Sequence, residues 1–389
     1  MLTGYVQTNL VADQAGAALL QDPNLVNPWG VVVGAAGGNF MVANNGSATA
    51  TEYQGLVSGG AFSAGSPTIS IPGGFPTADV INTTTDFKIT SASGGASSPA
   101  THLFATQNGQ LAAWNSSLSP SGQAVTVASV TGADFTGLAI GSSGGQNYLY
   151  AADFQNGKID VFDGSFHQAT LAGSFADGSL PAGYAPFNIQ SIGGQLYVTY
   201  AFQQAAGEEG GGSGASFFTP RSTGGIVDVY NTDGTFVKEF STDSHLSAPW
   251  GMAMAPASFG TYANDLLVAN FGDGTIDAFD PTTGSYLGQL SDTSGNPISI
   301  NGLRGLSFGN GVSAGDANAL YFTAEPGAAS NPPESPAVIL LDPSAQGALS
   351  AVGNGAVNVT GGGEIVVNST KSSAVVAIGH GQISAQEID

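Results

Sequence analysis

The chain has 389 residues, including 58 glycines and no cysteine, and only 9% of its residues are charged, against roughly 25% in an average soluble protein. Without cysteine there can be no disulfide and no thiolate metal site. The 28 acidic and 6 basic residues give a net charge of −22, which argues against nucleic acid as a partner, because phosphate binding needs clustered Lys and Arg. The sequence contains no run of about 18 apolar residues, so no transmembrane helix is predicted.

Short apolar stretches follow one another along the chain, each bounded by Gly, Asn or Asp. In chain order they include "FMVAN", "LYAADF", "KIDVFD", "QLYVTYAF", "LLVANF" and "TIDAF". They are rich in Val, Ile, Phe and Tyr, and no long segment keeps the 3.6-residue period of a helix. The sequence therefore predicts an all-β protein with many short antiparallel strands.

A repeated unit organises these strands. It consists of a turn with Pro or a polar residue, a strand of small apolar residues, a second strand, a tight Asn-Gly or Asp-Gly turn, and a third strand. The first strands of six copies have their anchors at Gly30, Lys88, Gly137, Asn188, Gly251 and Gly305. Such a copy cannot bury both of its faces alone, so the copies must stack around an axis. We expect one six-bladed β-propeller over residues 1–342, closed by the N-terminal stretch "YVQTNLV", with the glycine-rich residues 205–218 as a loop inside the fourth blade.

Residues 343–389 follow a different pattern. "ALSAVGNGAVNV" realigns with "AVVAIGHGQISA" at a shift of 26 residues. A constant period of this size predicts the first coils of a β-solenoid, and a β-hairpin packed on the propeller is the alternative. Because two coils bury little surface, we expect either a longer protein or coils that stack on another subunit, so that the repeats mediate self-assembly.

The ends of the second strands carry the candidate metal ligands. Aligning the copies places Asn44, Thr106, Asp153, Ala201, Asn270 and Ala324 at one equivalent position, and Glu325 one residue further on. Carboxylate and amide oxygens are the ligands that Ca²⁺ prefers, so Asp153, Asn44, Asn270 and Glu325 are the candidate calcium ligands. Asn and Asp at strand ends also cap turns without any ligand, and this reading is the favoured one; no cofactor is required by the sequence.

Three further residues are candidates for ligand binding. Arg304 lies at the start of a first strand, where it would bind an anionic ligand or, as is more common for such an arginine, pair with a nearby carboxylate. Trp29 and Trp250 belong to the repeated Pro-Trp-Gly turns, where they would stack on a sugar or wedge between neighbouring blades. The four histidines are far apart in sequence, and no zinc-binding spacing or nucleophile elbow is present, so no catalytic residue is predicted.

Several phrases together carry a family resemblance: "DPNLVNPWG", "FMVANNG", "LFATQNGQLAAW", "LYAADFQNGKIDVFDGSF", "APWGMAMAPASFG", "LLVANFGDGTIDAFDPTTGSYLGQL" and "GLRGLSFGNG". From about residue 5 to 325 the chain resembles a bacterial family of secreted, uncharacterised propeller proteins, some of which carry a PEP-CTERM sorting tail. The resemblance implies export and a six-bladed, NHL-like propeller, and it supplies no catalytic residues. The chain departs from the family at its end, where solenoid-like repeats replace the sorting tail.

These observations favour a non-enzymatic extracellular or cell-surface module, either binding or structural, within a larger repetitive protein or assembly. Its partners would be other extracellular protein subunits or glycans. One alternative is a Ca²⁺-dependent, lactonase-like hydrolase that uses the central channel, because propellers of that type hold a metal there. The other is a lectin-like propeller that binds glycans through aromatic residues at the rim of the channel.

Overall fold

The computed structural model describes residues 4–325, except 35–36, 56–61, 92–93, 205–218 and 221–222, and beyond residue 325 only separate strands. The protein is all-β, as predicted, and its strands form a β-propeller arrangement. Within these residues the single helical element is a short 3₁₀ turn, Gly260–Tyr262, and no helix there is long and apolar enough to cross a membrane.

Six antiparallel sheets follow one another along the chain, numbered here in chain order with the innermost strand first. Sheet 1 contains Pro28–Val33, Phe40–Asn44, Thr49–Gln54, Ser63–Ala64 and Ile69–Ser70. Sheet 2 contains Pro76–Ile81, His102–Thr106, Gln110–Trp114 and Val125–Ser129. Sheet 3 contains only Phe135–Ser143, Gln146–Asp153 and Lys158–Asp163.

The other three sheets have four or five strands each. Sheet 4 contains Tyr184–Ile192, Gln195–Gln204, Ile226–Tyr230 and Phe236–Ser241, with Thr219–Pro220 paired to its second strand. Sheet 5 contains Pro249–Met254, Leu266–Asn270, Ile276–Phe279 and Tyr286–Gln289. Sheet 6 contains Leu303–Phe308, Leu320–Ala324, Ile339–Leu341 and the N-terminal strand Thr8–Asn9. Short pairs outside the sheets are Val11–Ala12 with Leu20–Gln21 and Lys88–Thr90 with Ser97–Pro99.

The sheets surround a common axis. The innermost strand of each sheet contacts that of the next, and the innermost strand of sheet 6 contacts that of sheet 1. The contact is closest at glycines: a Cβ on Gly251 would overlap the backbone oxygen of Arg304, and a Cβ on Gly305 would lie 2.7 Å from the backbone oxygen of Trp29. Small residues at this position therefore let neighbouring strands approach closely around the axis.

The sequence prediction misplaced one first strand. The anchor assigned to Lys88 is wrong, because the innermost strand of sheet 2 is Pro76–Ile81 and Lys88 lies in a short peripheral strand. The true strand contains an aspartate, Asp79, which obscured its apolar character. Asp79 is nevertheless buried, because its carboxylate oxygen Oδ2 forms an ion pair with His102 Nδ1 at 3.0 Å.

Beyond residue 342, three pairs of strands run parallel. Leu349 pairs with Val375, Ala356 with Gln382, and Glu364 with Glu387. The first two pairs keep the 26-residue shift seen in the sequence. Parallel pairing of this kind is not that of a β-hairpin, in which consecutive strands run antiparallel. The glycine-rich residues 205–218, predicted as a loop of the fourth blade, and His380 lie outside the described residues.

Candidate functional site

The candidate site lies at the end of the central channel where the innermost strands begin, called here the upper end. The strand register confirms the sequence alignment of the second-strand ends, because Asn44 pairs with Pro28, Asp153 with Phe135 and Asn270 with Pro249. Each of the six aligned positions pairs with a residue in the innermost strand of its own sheet. The residue that follows this partner, or the second residue after it in sheet 4, has its side chain at the upper end; these residues are Trp29, Thr77, Thr136, Phe187, Trp250 and Arg304. Four of these six side chains are large, and they gather near the axis.

The two tryptophans fill much of the upper end. Trp250 donates its Nε1–H to the backbone oxygen of Thr136 at 3.0 Å, which links sheet 5 to sheet 3. Trp29 meets Trp250 edge to face, with ring centroids 6.1 Å apart. Their exposed fractions are 5% and 4%, so the indoles are buried in a cluster with Phe154, Phe187 and Phe271. This upper-end cluster holds the indoles away from solvent.

A chain of amide hydrogen bonds surrounds Trp29 at the rim. Trp29 Nε1 donates to Asn27 Oδ1 at 3.0 Å, and Asn27 Nδ2 donates to Asn45 Oδ1 at 3.2 Å. Asn45 Nδ2 then donates to Gln107 Oε1 at 3.0 Å, which joins sheet 1 to sheet 2. The rim on this side is therefore polar and uncharged.

Arg304 is the unusual member of the site. Its guanidinium carbon lies 3.6 Å from the centroid of the Trp29 ring and 4.2 Å from that of the Phe271 ring. The residue is only 6% exposed, and burial lowers the pKa of its guanidinium to about 9, against the opposing effect of Glu325. Its Nε and Nη1 are buried and have no hydrogen-bond partner among the described residues.

Arg304 also has no ion-pair partner among the residues that the structure describes. The ion pairs found within the described ranges are formed by three histidines and Lys158, and none includes Arg304. Half-buried Glu325 acts on Arg304 only at longer range; burial raises the pKa of Glu325, and Arg304 opposes that rise. Within the described residues, then, Arg304 forms no salt bridge of the kind that is common for such an arginine.

The predicted metal ligands make hydrogen bonds inside their own sheets. Asp153 Oδ1 accepts the backbone N–H groups of Asp134 and Asn156, and Oδ2 accepts Asn156 Nδ2. Asn270 Oδ1 accepts the N–H of Ser247, and its Nδ2 donates to Asp277 Oδ2 at 2.7 Å. These bonds tie the loop before the first strand to the hairpin after the second, which is turn capping.

Asn44 and Glu325 differ from those two ligands. Asn44 Nδ2 donates to Thr49 and Thr51, but its buried Oδ1 has no hydrogen-bond partner in the part of the chain that is described. Glu325 is half-buried and interacts electrostatically with Arg304 at longer range. Over the described ranges no three His, Cys, Asp or Glu residues lie close enough together to hold a metal ion. The calcium site stays a prediction.

Asp134 is a buried carboxyl that the sequence reasoning did not single out. It is 2% exposed, and burial, together with nearby Asp153, raises its pKa to about 8. The neutral form of Asp134 is therefore favoured, and burial also raises the pKa of Asp153. Phe187 and Phe271 were also missed as site residues, although the alignment had placed Phe271 level with Glu325.

A cavity of about 490 Å³ lies below the upper-end cluster, lined by the innermost strands of all six sheets. Trp250 and Gly305 lie at its top, and Met254 and Phe308 near the strands' ends at its bottom. Among the described residues lining it, the one ionisable side chain is Asp79, which is paired with His102. The described cavity wall thus offers apolar surface, backbone and neutral polar side chains such as Asn188 and Gln190, with no free acid–base pair.

Comparison with known proteins identifies relatives of uncharacterised function. The uncharacterized protein R648 of Acanthamoeba polyphaga mimivirus is 33% identical over 323 residues, which are 81% of the chain and 76% of that protein. The chain belongs to the family of this protein. A second mimivirus protein, the uncharacterized protein L690, is 31% identical and covers 77% of the chain and 77% of its own length. No protein-family model matches. These relatives are viral, so they do not support the bacterial family that the sequence resemblance suggested.

Solved structures resemble the chain only loosely. A Bacteroides thetaiotaomicron protein of unknown function covers 87% of the chain and 76% of its own length, with a TM-score of 0.49 and 10% identity. The soluble aldose sugar dehydrogenase of Escherichia coli covers 87% and 99%, with a TM-score of 0.47 and 13% identity. Similarity at this level supports no functional conclusion.

Proposed function

We propose that the six sheets are the six blades of one propeller, with the three-stranded sheet 3 as a short blade. The cyclic contacts of the innermost strands support this count, as does the N-terminal strand Thr8–Asn9, which pairs with Ile339–Leu341 and joins the two ends of the ring. We further propose that residues 343–389 form solenoid-like coils, because their strands pair in parallel at a nearly constant offset.

We propose that this propeller is a non-enzymatic binding module that receives its ligand at the upper end of the channel. The observation that carries the proposal is Arg304, a buried cation whose Nε and Nη1 lack hydrogen-bond partners among the described residues. A buried donor left unsatisfied is unfavourable, so its presence is best explained by a ligand that satisfies it. The same region contains aromatic walls and amides, the usual composition of a small-ligand site.

The non-enzymatic part of the proposal rests on the side chains around the channel. Asp79 is paired with His102, and Asp153 is occupied by hydrogen bonds from its own sheet. General acid–base catalysis needs a titratable group within reach of a substrate. Neither carboxylate is free to serve, so the arrangement favours binding over turnover.

We also propose an extracellular or cell-surface location, with assembly through the C-terminal coils. The low fraction of charged residues, the abundance of glycine and the lack of cysteine support this location as a compositional argument. Protease treatment of intact cells that express the chain tests it, because only a protein outside the cell is cleaved. Sedimentation of the full chain against a chain ending at residue 342 tests assembly, and equal masses would contradict it.

Intrinsic fluorescence tests the binding function directly. In a Trp114→Phe background the remaining tryptophans, Trp29 and Trp250, both lie in the upper-end cluster, so a ligand bound there changes their emission. A small-molecule library is screened by this emission, and each hit is recovered and weighed by mass spectrometry. We expect hits that are recovered unchanged; conversion of a hit to product would contradict a non-enzymatic role.

A Ca²⁺-dependent hydrolase remains the second candidate, favoured by one observation, the unpartnered Oδ1 of buried Asn44. Calorimetry with CaCl₂ on the wild type and on Asp153→Asn distinguishes the two. Heat of binding that disappears in the variant would support the hydrolase. The lectin-like alternative has less support, since the indoles of Trp29 and Trp250 are buried; a glycan array with Trp250→Phe as control tests it.

A further inference from the structure

Arg304 presents nitrogen edges, and not faces, to a ligand. The rings of Trp29 and Phe271 both lie within stacking distance of the guanidinium, at 3.6 and 4.2 Å from its carbon. Cation–π contacts of this kind cover the faces of the group but satisfy none of its N–H donors. The unmet need is therefore for acceptors in the guanidinium plane, where Nε and Nη1 have no partner among the described residues.

The planar fork of arginine matches the two oxygens of a carboxylate, and paired N–H···O bonds to it are among the strong hydrogen bonds in proteins. The local charge also selects the ligand. One guanidinium interacts at longer range with one half-buried carboxylate, Glu325, in a protein with a net charge of −22. A dianion such as phosphate would add a second negative charge with no second cation to balance it, whereas a monoanion neutralises Arg304 alone.

Resting on the proposed binding function, we propose that Arg304 binds the carboxylate of a small monocarboxylate ligand between Trp29 and Phe271. Phe271 is half-buried and lies 4.2 Å from the guanidinium carbon, so it is the side chain past which the ligand enters. Half-buried Phe271 then provides the apolar contact for the carbon skeleton that carries the carboxylate. Glu325, as a like charge, competes with the ligand for Arg304.

The test measures affinity by calorimetry for sodium acetate, sodium glucuronate, glucose and inorganic phosphate. We expect the two carboxylates to bind, glucose and phosphate not to bind, and glucuronate to bind more tightly if the skeleton is a sugar acid. Arg304→Met should abolish carboxylate binding, and Arg304→Lys, which keeps the charge but loses the fork, should weaken it about 10-fold or more, in line with the loss of a charge-assisted hydrogen bond. Glu325→Gln should tighten binding several-fold.

Lys238→Met is the matched control. Lys238 also stands over an aromatic ring, with Nζ 5.2 Å from the centroid of Phe240, and its removal changes the net charge by the same amount. It should leave carboxylate affinity unchanged.

Three results would overturn the proposal. The first is carboxylate binding that survives in Arg304→Met, and the second is phosphate binding that is stronger than carboxylate binding. The third is the lack of carboxylate binding in wild type and also in Glu325→Gln. A different result would be a neutral library compound that changes the emission of Trp29 and Trp250 equally in wild type and in Arg304→Met. That result would support the binding function and contradict the proposal that the ligand is a carboxylate.

Discussion

Replacing Arg304 by methionine should stabilise the protein while it removes ligand binding. Burial lowers the pKa of Arg304 well below its ordinary value, to about 9, and each pKa unit corresponds to about 1.4 kcal/mol. The charged form is therefore destabilised by about 5 kcal/mol in the folded state. Its two ring contacts return about 1–2 kcal/mol each. Because methionine fills a similar volume without a charge, we expect the variant to be more stable by about 1–3 kcal/mol.

Urea unfolding at pH 7, followed by tryptophan fluorescence, measures this change as a shift of the midpoint to higher urea. Arg304→Gln is the control for charge against shape, since its amide is still polar and should give a smaller gain. A loss of more than about 1 kcal/mol in Arg304→Met would refute the reasoning, because it would mean that the guanidinium has a stabilising partner in the folded protein.

The dependence on pH gives an independent check of the same argument. The pKa of Arg304 is lower in the folded state, so between about pH 9 and 12.5 the unfolded chain binds more protons, and the contribution of Arg304 to the free energy of unfolding rises with pH. Tyrosines whose pKa is raised in the fold act in the opposite direction. The pKa of partly buried Tyr286, for example, is raised to about 12, mainly by desolvation. The difference between wild type and Arg304→Met removes the tyrosine contribution, and this difference should shrink above pH 9.

Three further predictions concern the scaffold. Gly251→Ala should destabilise by more than about 2 kcal/mol, because its Cβ would overlap backbone, whereas Gly178→Ala, with open space around it, should change the urea midpoint little. Burial would lower the pKa of His102, but Asp79 reverses this effect and raises the pKa. The loss of stability in His102→Gln should therefore be largest below about pH 6.5 and should fade as pH rises through the folded-state pKa. A loss that does not change with pH would contradict the ion pair. Removing residues 1–12 takes out a ring-closing strand and the buried apolar side chains of Tyr5, Leu10, Val11 and Ala12. The free energy of unfolding should therefore fall by at least about 4 kcal/mol, and an unchanged melting temperature would argue against closure.

Much of the scaffold could be read from the sequence because it repeats. The alignment of Asn44, Asp153 and Asn270 holds in the strand register, since equivalent turns need equivalent capping residues. The shift of 26 residues in the C-terminal segment likewise appears in the pairing of Leu349 with Val375. Sheet 2 was misread because Asp79 interrupts its apolar strand, and only its spatial partner His102 makes a carboxylate acceptable there.

The sequence by itself determined that the chain is all-β, that its units repeat around an axis, and that Trp29, Trp250 and Arg304 occupy comparable places in their units. These are properties of local pattern, because each unit must bury the same kind of face. Only the tertiary structure decided that Arg304 stands between Trp29 and Phe271 with no ion-paired carboxylate among the described residues, and that Asp134 shares a buried region with Asp153. Contacts between different blades depend on how the ring closes, and no single unit of the sequence records that closure.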